Sequence, residues 1–210
     1  MAQALAPAIE PVFEFTGGRL CLDFTNTLGD SRARPVERLK SYQDLVTWGE
    51  QAGVLAERES RFLARIAERH PWAASRTLRE AVALREAIYR ILSSVIDGST
   101  AAQGDFATLN GALSRALDRL QVTTGSGGFG WSWADSGEAL DRMLWPVVRS
   151  AADLLVSEEA KRVRRCSGQD CDWLFLDTSR NHSRRWCDMR GCGNREKARR
   201  HYARKKAGVS

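Results

Sequence analysis

The chain has 210 residues, of which 43% are hydrophobic and 28% are charged. This composition is typical of a globular protein and excludes an intrinsically disordered one. No apolar run reaches the roughly 18 residues that a membrane-spanning helix needs. The N-terminal residues also lack the cationic and apolar segments of a secretory signal. We therefore expect a cytoplasmic protein with no membrane partner.

The net charge of +6 is distributed unevenly along the chain. Residues 161–210 carry fifteen Lys or Arg against five Asp or Glu, a balance of +10. The first 160 residues carry 17 basic and 21 acidic side chains, a balance of −4. A difference of this size predicts a basic binding module attached to a mildly acidic body.

The first part of the chain predicts short elements. Phe13 and Phe15 predict a short strand that ends at Gly17-Gly18. Residues 20–28 then predict a short apolar helix, and Pro35 marks the loop that follows it.

Between residues 41 and 159, apolar residues mostly recur every three or four positions, which predicts a helical domain. Ser41 is suited to cap the first helix, and Pro71 to begin a long one. Pro146 is expected to kink the last helix. The predicted helices span residues 41–53, 59–69, 71–96, 105–120 and 138–159, and the apolar side chains of the fourth, including Phe106, Leu117 and Leu120, are expected to face inward.

Residues 121–134 break the helical period. Their sequence, QVTTGSGGFGWSWA, places residues that favour strands on both sides of a glycine-rich turn, which predicts a β-hairpin. The predicted fold is therefore mainly α. A helical N-terminal domain with a small hairpin, residues 1–160, precedes a small second domain, residues 161–210, built from a hairpin and a C-terminal helix.

Four cysteines dominate the second domain. Cys166 and Cys171 form one pair, and Cys187 and Cys192 the other, with four residues inside each pair and fifteen between the pairs. Two such pairs, brought together by a hairpin, can surround one Zn²⁺ tetrahedrally at about 2.3 Å per bond. Four thiolates close the coordination shell, so we expect one structural zinc per chain and no catalytic metal.

Two disulfides are the alternative for these cysteines, and the missing export signal disfavours them. Gly168 is expected to supply the unusual backbone geometry of the first turn. Trp173 and Phe175 alternate as in a short strand with one covered face, and with Trp186 they would form a minimal core beside the metal. Loss of the metal is then expected to unfold this module and leave the helical body intact. Cys21 is left over and is expected to be buried.

The segment after Cys192 predicts a strongly cationic helix. Its sequence, GNREKARRHYARKK, has only a narrow apolar stripe, Ala198 and Tyr202, that could rest on the zinc core. Arginine and lysine suit contacts with DNA phosphates, and arginine also suits guanine edges. Arg195, at the start of the helix, is the expected base contact. The predicted nucleic-acid contacts are Arg184, Arg185, Arg195, Lys197, Arg199, Arg200, Arg204 and Lys206.

These motifs resemble those of a known family. Residues 192–195, Cys-Gly-Asn-Arg, match the signature of the CGNR zinc finger, and the sequences around Cys171 and Cys187 fit that finger too. Residues 18–27, GRLCLDFTNT, look like a segment of the helical ABATE domain that usually precedes it. Members are regarded as candidate stress-responsive bacterial transcription regulators, and the resemblance implies that role for this chain.

Three polar residues of the ABATE-like segment are candidate effector-binding residues. Asp23, Asn26 and Thr27 could form the polar wall of a pocket for a small molecule. The alternative is that they cap or cross-link helices. The helical body is thus a candidate for effector binding or for forming a homodimer.

The sequence as a whole predicts a zinc-dependent regulator that binds double-stranded DNA at the nucleoid. RNA or ribosome binding by the same basic finger is one alternative, and docking to an acidic partner protein is another. A solvated basic helix without a partner is the third. The sequence has no nucleophile–base pair, phosphate-binding glycine loop or open metal site, so we do not expect an enzyme.

Overall fold

The computed structural model describes residues 13–29, 31, 33–125, 127–134 and 137–208. Within these ranges the chain folds into seven α-helices and three two-stranded antiparallel sheets. A 3₁₀ helix spans Glu158–Arg162, and a π-helical turn spans Met189–Gly193. The helices are α1 (Leu20–Thr25), α2 (Tyr42–Gln51), α3 (Glu57–Arg69), α4 (Pro71–Asp97), α5 (Gln103–Leu117), α6 (Leu144–Leu155) and α7 (Asn194–Ala207). The strands are β1 (Leu28–Gly29), β2 (Val36–Glu37), β3 (Leu120–Gly125), β4 (Gly128–Trp133), β5 (Val163–Arg165) and β6 (Leu174–Leu176).

The mainly helical fold expected from the sequence is confirmed. The long helix α4 lies at the centre of the body, where it contacts α1, α2, α3, α5 and α6. Its apolar stripe, which includes Leu84, Ile88 and Leu92, is buried in the main core. Phe24 of α1 packs on Trp48 of α2 with ring centroids 5.0 Å apart. Burial of these stripes stabilises the helices more than their intrinsic propensity does.

The helix boundaries follow local sequence signals. The Ser41 hydroxyl accepts a hydrogen bond from the backbone N–H of Asp44, and the Asp44 carboxylate accepts one from the N–H of Ser41, which together cap α2. Pro71 occupies the first turn of α4, where a backbone N–H has no helical partner. Gly98 ends α4 in the left-handed conformation at φ 62°.

Three expected features near the ends of the helical domain are wrong. Residues 13–16 form no strand; instead, Phe13 is buried and its N–H donates to Oε1 of Gln51. α6 begins at Leu144 rather than at residue 138. Pro146 therefore lies in the first turn of α6, where its missing N–H breaks no helical hydrogen bond and causes no kink.

The expected inward face of α5 is only partly correct. Leu109 is buried, but Phe106 and Leu117 are exposed. Leu120 is not helical, because it begins β3. The hairpin predicted after α5 is confirmed as β3 and β4, which pair from Leu120–Trp133 to Gly125–Gly128.

Strand β6 belongs to two cores at once. It pairs antiparallel with β5. Leu174 and Leu176 lie in the main core of the body, whereas Trp173 and Phe175 pack among the four cysteines. Successive side chains of a strand point to opposite faces, which explains this division. The expectation of one covered face is therefore wrong, since both faces of β6 are covered.

Hydrogen bonds from the ABATE-like segment hold β6 in place. The Asn26 side-chain amide donates to the backbone carbonyl of Leu174 at 2.9 Å, and its oxygen accepts from the N–H of Leu174 at 2.9 Å. The N–H of Leu176 donates to the carbonyl of Gly17 at 2.7 Å. Gly18, at φ 80°, packs beside Leu176. Strand β6 thus directly joins the cysteine-rich segment to the helical body.

Replacing Asn26 with alanine should destabilise the whole protein. The change leaves the buried N–H and carbonyl of Leu174 without these partners, at a cost of about 2 to 4 kcal/mol. Urea unfolding of the zinc-loaded protein measures the change in the free energy of unfolding. Asn110→Ala, at an exposed position of α5, is the matched control and should have little effect. Equal stability of the two variants would contradict a role for Asn26 in holding β6.

Candidate metal centre and basic helix

The four cysteines of the C-terminal segment converge on one point. Their Sγ atoms all lie within 4.8 Å of one another, and all four side chains are buried. The Sγ atom of Cys187 lies 3.7 Å from that of Cys171 and 3.7 Å from that of Cys192. A tetrahedron with Zn–S bonds of about 2.3 Å has S–S edges of about 3.8 Å. All five cysteines of the chain are free thiols, and the four in this cluster are positioned to hold one zinc ion.

The chemistry of the thiols fits a cation at the centre of this cluster. Hydrogen bonds from the thiols of Cys171 and Cys187 lower the pKa of Cys166, and the hydrogen bonds with Cys166 and Cys171 raise the pKa of Cys187. The protons are therefore shared unequally, because four thiolates cannot be close together without a positive charge between them. Zn²⁺ supplies that charge and displaces the protons when it binds.

Backbone and side-chain donors support the sulfur atoms. The N–H groups of Gly168 and Cys187 donate to Sγ of Cys166 at 3.5 and 3.4 Å. Nη2 of Arg195 donates to Sγ of Cys192 at 3.1 Å. Four thiolates and Zn²⁺ carry a formal charge of −2, so these donors stabilise the ligands electrostatically.

Gly168 lies in the first cysteine turn, but its backbone does not have the expected geometry. Its φ does not lie in the left-handed region. A Cβ at this position would come within 3.3 Å of Cβ of Cys171 and 3.4 Å of Sγ of Cys192. Glycine therefore leaves room for the sulfur cluster instead of providing a special backbone conformation.

The second cysteine turn leads directly into α7. The Asp188 carboxylate accepts a hydrogen bond from the N–H of Gly191 at 2.6 Å, and its carbonyl accepts one from the N–H of Gly193. These bonds hold the π-helical turn that carries Cys192, which continues into α7 at Asn194. The metal ligands thus fix the position of the first turn of α7.

Arg184, an expected DNA contact, is engaged inside the protein. Its Nε donates to the carbonyl of Trp186 at 2.9 Å, and its Nη2 donates to the carbonyls of Thr16 and Cys187. Its guanidinium carbon lies 4.5 Å from the ring centroid of Phe175. Arg184 therefore ties the N-terminal segment to the zinc cluster. Arg185 is exposed, with its guanidinium carbon 5.6 Å from the ring centroid of Trp186.

The cationic residues of α7 differ in what they contact. Arg199 donates to Gln169 and lies within 4 Å of carboxylates of Asp170 and Glu196. Arg200 pairs with Glu196 at 3.1 Å. Among the predicted DNA contacts on α7, those that are exposed and form no ion pair with another described residue are Lys197, Arg204 and Lys206.

The expected apolar stripe of α7 does not rest on the zinc core. Ala198 is exposed, and Tyr202 is 71% exposed, with its ring 6.0 Å from that of His201. From Arg200 to Lys206, every side chain of the helix is exposed. The helix is therefore attached at its N-terminal end and extends into solvent.

Asp23, Asn26 and Thr27 are bonded within the protein and do not form an open pocket wall. Oδ1 of Asp23 accepts a hydrogen bond from the N–H of Gly17 at 2.8 Å. The Thr27 hydroxyl donates to the carbonyl of Phe24 at 2.8 Å. With the bonds from Asn26 to Leu174, these contacts support the alternative that the three residues cross-link elements of the fold.

The sequence did not reveal a buried ion pair next to this segment. Arg85 of α4 is buried, and its Nη1 and Nη2 atoms each lie 2.7 Å from a carboxylate oxygen of Glu37 in β2. Burial tends to raise the pKa of Glu37, but the bonds from Arg85 outweigh it and the pKa is lowered. From sequence alone, an arginine in a helix is expected to face solvent. Only the contact with Glu37 shows that Arg85 is buried and paired.

Two family models match the chain. Residues 18–158 match the ABATE domain, whose description is "Putative stress-induced transcription regulator", and residues 162–205 match the CGNR zinc finger. The chain belongs to the ABATE family. The CGNR match includes all four clustered cysteines, which confirms the resemblance seen in the sequence. No curated protein matches this ABATE protein. Among its described helices, none has the length and apolar character needed to cross a membrane.

The ABATE protein should contain one zinc per chain with four sulfur ligands, measurable by elemental analysis and X-ray absorption. Cys187→Ser should release the metal because it breaks the closed shell. The sequence predicts that the helical body would survive this loss. Since β6 is shared, we now expect the body to unfold at a lower temperature as well.

Cys21→Ser is the control for the metal prediction. Cys21 is buried, but it lies outside the sulfur cluster, so this variant should keep its zinc. A Cys187→Ser protein that lacks zinc and yet shows the parent's melting temperature for the helical body would contradict the coupling through β6.

The stability of the protein should depend on pH through Asp23. Burial raises the pKa of this carboxyl from 3.8 to about 6, despite the hydrogen bond from Gly17. The folded state therefore binds a proton more tightly, and the stabilisation present below pH 3.8 is lost as the pH rises through 6. Asp23→Asn keeps a hydrogen-bond acceptor for the N–H of Gly17. Relative to the parent, the variant should have a free energy of unfolding that is higher by about 2 to 3 kcal/mol at pH 8 and hardly different near pH 4.

Urea unfolding of parent and variant across this pH range measures the difference in the free energy of unfolding. Effects of acid on the zinc ligands are common to both proteins and cancel in that difference. Asp118→Asn, at an exposed position, should show no such trend. A variant effect that does not change between pH 4 and pH 8 would exclude a raised pKa for Asp23.

Proposed function

We propose that this ABATE protein is a transcription regulator that binds double-stranded DNA through α7. The main observation behind this proposal is that the part of α7 from residue 200 to 206 is exposed on all sides. Helix α7 has seven Lys or Arg and one Glu, and its side chains from residue 200 to 206 all face solvent. An α-helix fits the major groove, and cations on all its sides can reach phosphates on both walls.

The physical cost of such a helix supports a polyanionic partner. Arg195 and Arg199, as well as Arg200 and Arg204, stand four residues apart, and like charges at this spacing destabilise a helix. A short helix without a packed face is marginally stable in water. DNA phosphates would remove the repulsion, so the exposed turns are best explained as a surface that becomes stable on a nucleic acid.

The contacts within the protein change which residues are proposed to bind DNA. Lys197, Arg204 and Lys206 are proposed as the main phosphate contacts, with Arg185 beside the helix. Arg199 and Arg200 keep a supporting role because Glu196 also binds them. Arg184 is removed from the set, since its guanidinium bonds to backbone carbonyls.

Arg195 and the zinc ion position the helix in this proposal. Arg195 donates to Sγ of Cys192, so its guanidinium is directed at the metal centre and not at a base edge. A zinc bound by four cysteines has no open position for substrate, which favours a structural role. Binding through this module would place the protein at the nucleoid.

Replacing Arg204 and Lys206 together with alanine should weaken DNA binding and flatten its salt dependence. Removing one phosphate-binding cation should reduce the slope of log K against log salt by about 0.9, so the double variant should show a slope smaller by roughly two units. A salt titration of binding to a labelled random-sequence duplex, by fluorescence anisotropy, measures this slope. The zinc content of the variant should equal that of the parent.

Arg61→Ala with Arg76→Ala is the matched control, because it also removes two exposed arginines, here from α3 and α4. It should leave the slope nearly unchanged, because charges far from the bound DNA are screened by salt. Equal slopes for the two double variants would refute α7 as the binding surface. Structured RNA or an acidic peptide that displaces the duplex more effectively than unlabelled DNA would refute DNA as the partner.

A further inference from the structure

The hairpin of β3 and β4 has one apolar and one polar face. The two strands pair over six positions without a bulge. Residues that lie opposite each other share a face. Val122 lies opposite Trp131, and Thr124 lies opposite Phe129, so these side chains share a face with Leu120 and Trp133. The other face carries Gln121, Thr123 and Ser132.

The apolar face is exposed to an extent that a monomer rarely shows. Phe129 is 84% exposed, Trp131 is 63% exposed and Val122 is 59% exposed. Contiguous exposed aromatic surface of this kind usually marks an interaction site. A two-stranded hairpin is also only marginally stable unless something covers its apolar face.

The base of the hairpin is anchored on the helical body. The rings of Trp133 and Trp145 pack with centroids 5.8 Å apart. The guanidinium carbon of Arg149, on α6, lies 4.8 Å from the ring centroid of Trp131. These contacts hold the hairpin against α6 at one end, while its distal half, with Phe129, stays uncovered. The apolar face is thus presented in a defined position.

We infer that this face binds the same face of a second copy of the chain. Residues 120–134 form the longest run in the sequence without an Asp, Glu, Lys or Arg. In a two-fold dimer, a surface meets its own rotated image. An uncharged face does not repel itself, whereas two chains of net charge +6 repel each other elsewhere.

The lack of charge also argues against other occupants. A nucleic acid is bound through cations along its backbone, and the hairpin strands have none. A strongly acidic or basic partner protein would need opposite charges on this face, and its side chains are aromatic or aliphatic apart from Thr124. A second hairpin of the same composition can cover the face through apolar contacts and aromatic packing.

The size of the face indicates a weak dimer. Given their exposed fractions, Val122, Phe129 and Trp131 can bury about 400 Å² of side chain per copy. Two copies then bury about 800 Å² from these residues, which is below the usual size of a stable interface. We therefore expect a dimer that dissociates in the micromolar range and forms without DNA.

The test compares two neighbouring, exposed, β-branched residues of β3 that lie on opposite faces. Val122→Lys places a charge on the apolar face, and Thr123→Lys places the same charge on the polar face. Sedimentation velocity of the zinc-loaded full chain, from roughly 1 to 100 μM and without DNA, measures the association. The parent and Thr123→Lys should form dimers with similar affinity, and Val122→Lys should raise the dissociation constant at least about tenfold.

Phe129→Lys, at the distal end of the same face, is the second variant and should act like Val122→Lys. Circular dichroism and zinc content confirm that each variant is folded. A parent that stays monomeric throughout the concentration range, or equal association of the Val122 and Thr123 variants, would overturn the inference. A Val122→Lys protein that dimerises as tightly as the parent would likewise show that the face does not bind a second copy.

Discussion

The fixing of strand β6 by Asn26 is the interaction on which the rest of the structure depends. Two hydrogen bonds of 2.9 Å join its side chain to the backbone of Leu174. With β6 held there, Leu174 and Leu176 complete the core of the body, and Phe175 packs beside the cysteines. The sulfur cluster therefore has a large folded domain beneath it, which a zinc finger with so small a core would otherwise lack.

The same arrangement explains how the metal can position α7, the proposed binding surface, without contacting the DNA. Cys187 and Cys192 hold the turn before α7, and Arg195 contacts the sulfur of Cys192. The first turn of the helix is thus fixed to the body through the metal ligands and β6. The remaining turns carry an excess of positive charge into solvent. In the proposed function, the body sets the orientation of α7, and contacts with DNA phosphates provide the affinity of α7 for DNA.

A second surface is the uncharged face of the hairpin, whose base packs on α6. Trp133 and Arg149 join it to the body that also holds β6. In a dimer formed through this face, the two bodies would hold two copies of α7 in a defined relation. That relation would restrict the spacing of the DNA segments bound by one dimer.

The sequence by itself determined the four zinc ligands, the helical body and the cationic helix, because each depends on the spacing of residues along the chain. Local signals also identified the cap at Ser41 and the start at Pro71. Tertiary structure alone decided which partners covered each side chain. Periodicity places Trp173 and Phe175 on one face of a strand, but it does not show that the opposite face is buried in another core. Asn26 and Arg184 hydrogen-bond to backbone groups, and Arg85 binds Glu37, which lies 48 positions away, so no pattern of side-chain types reveals these contacts.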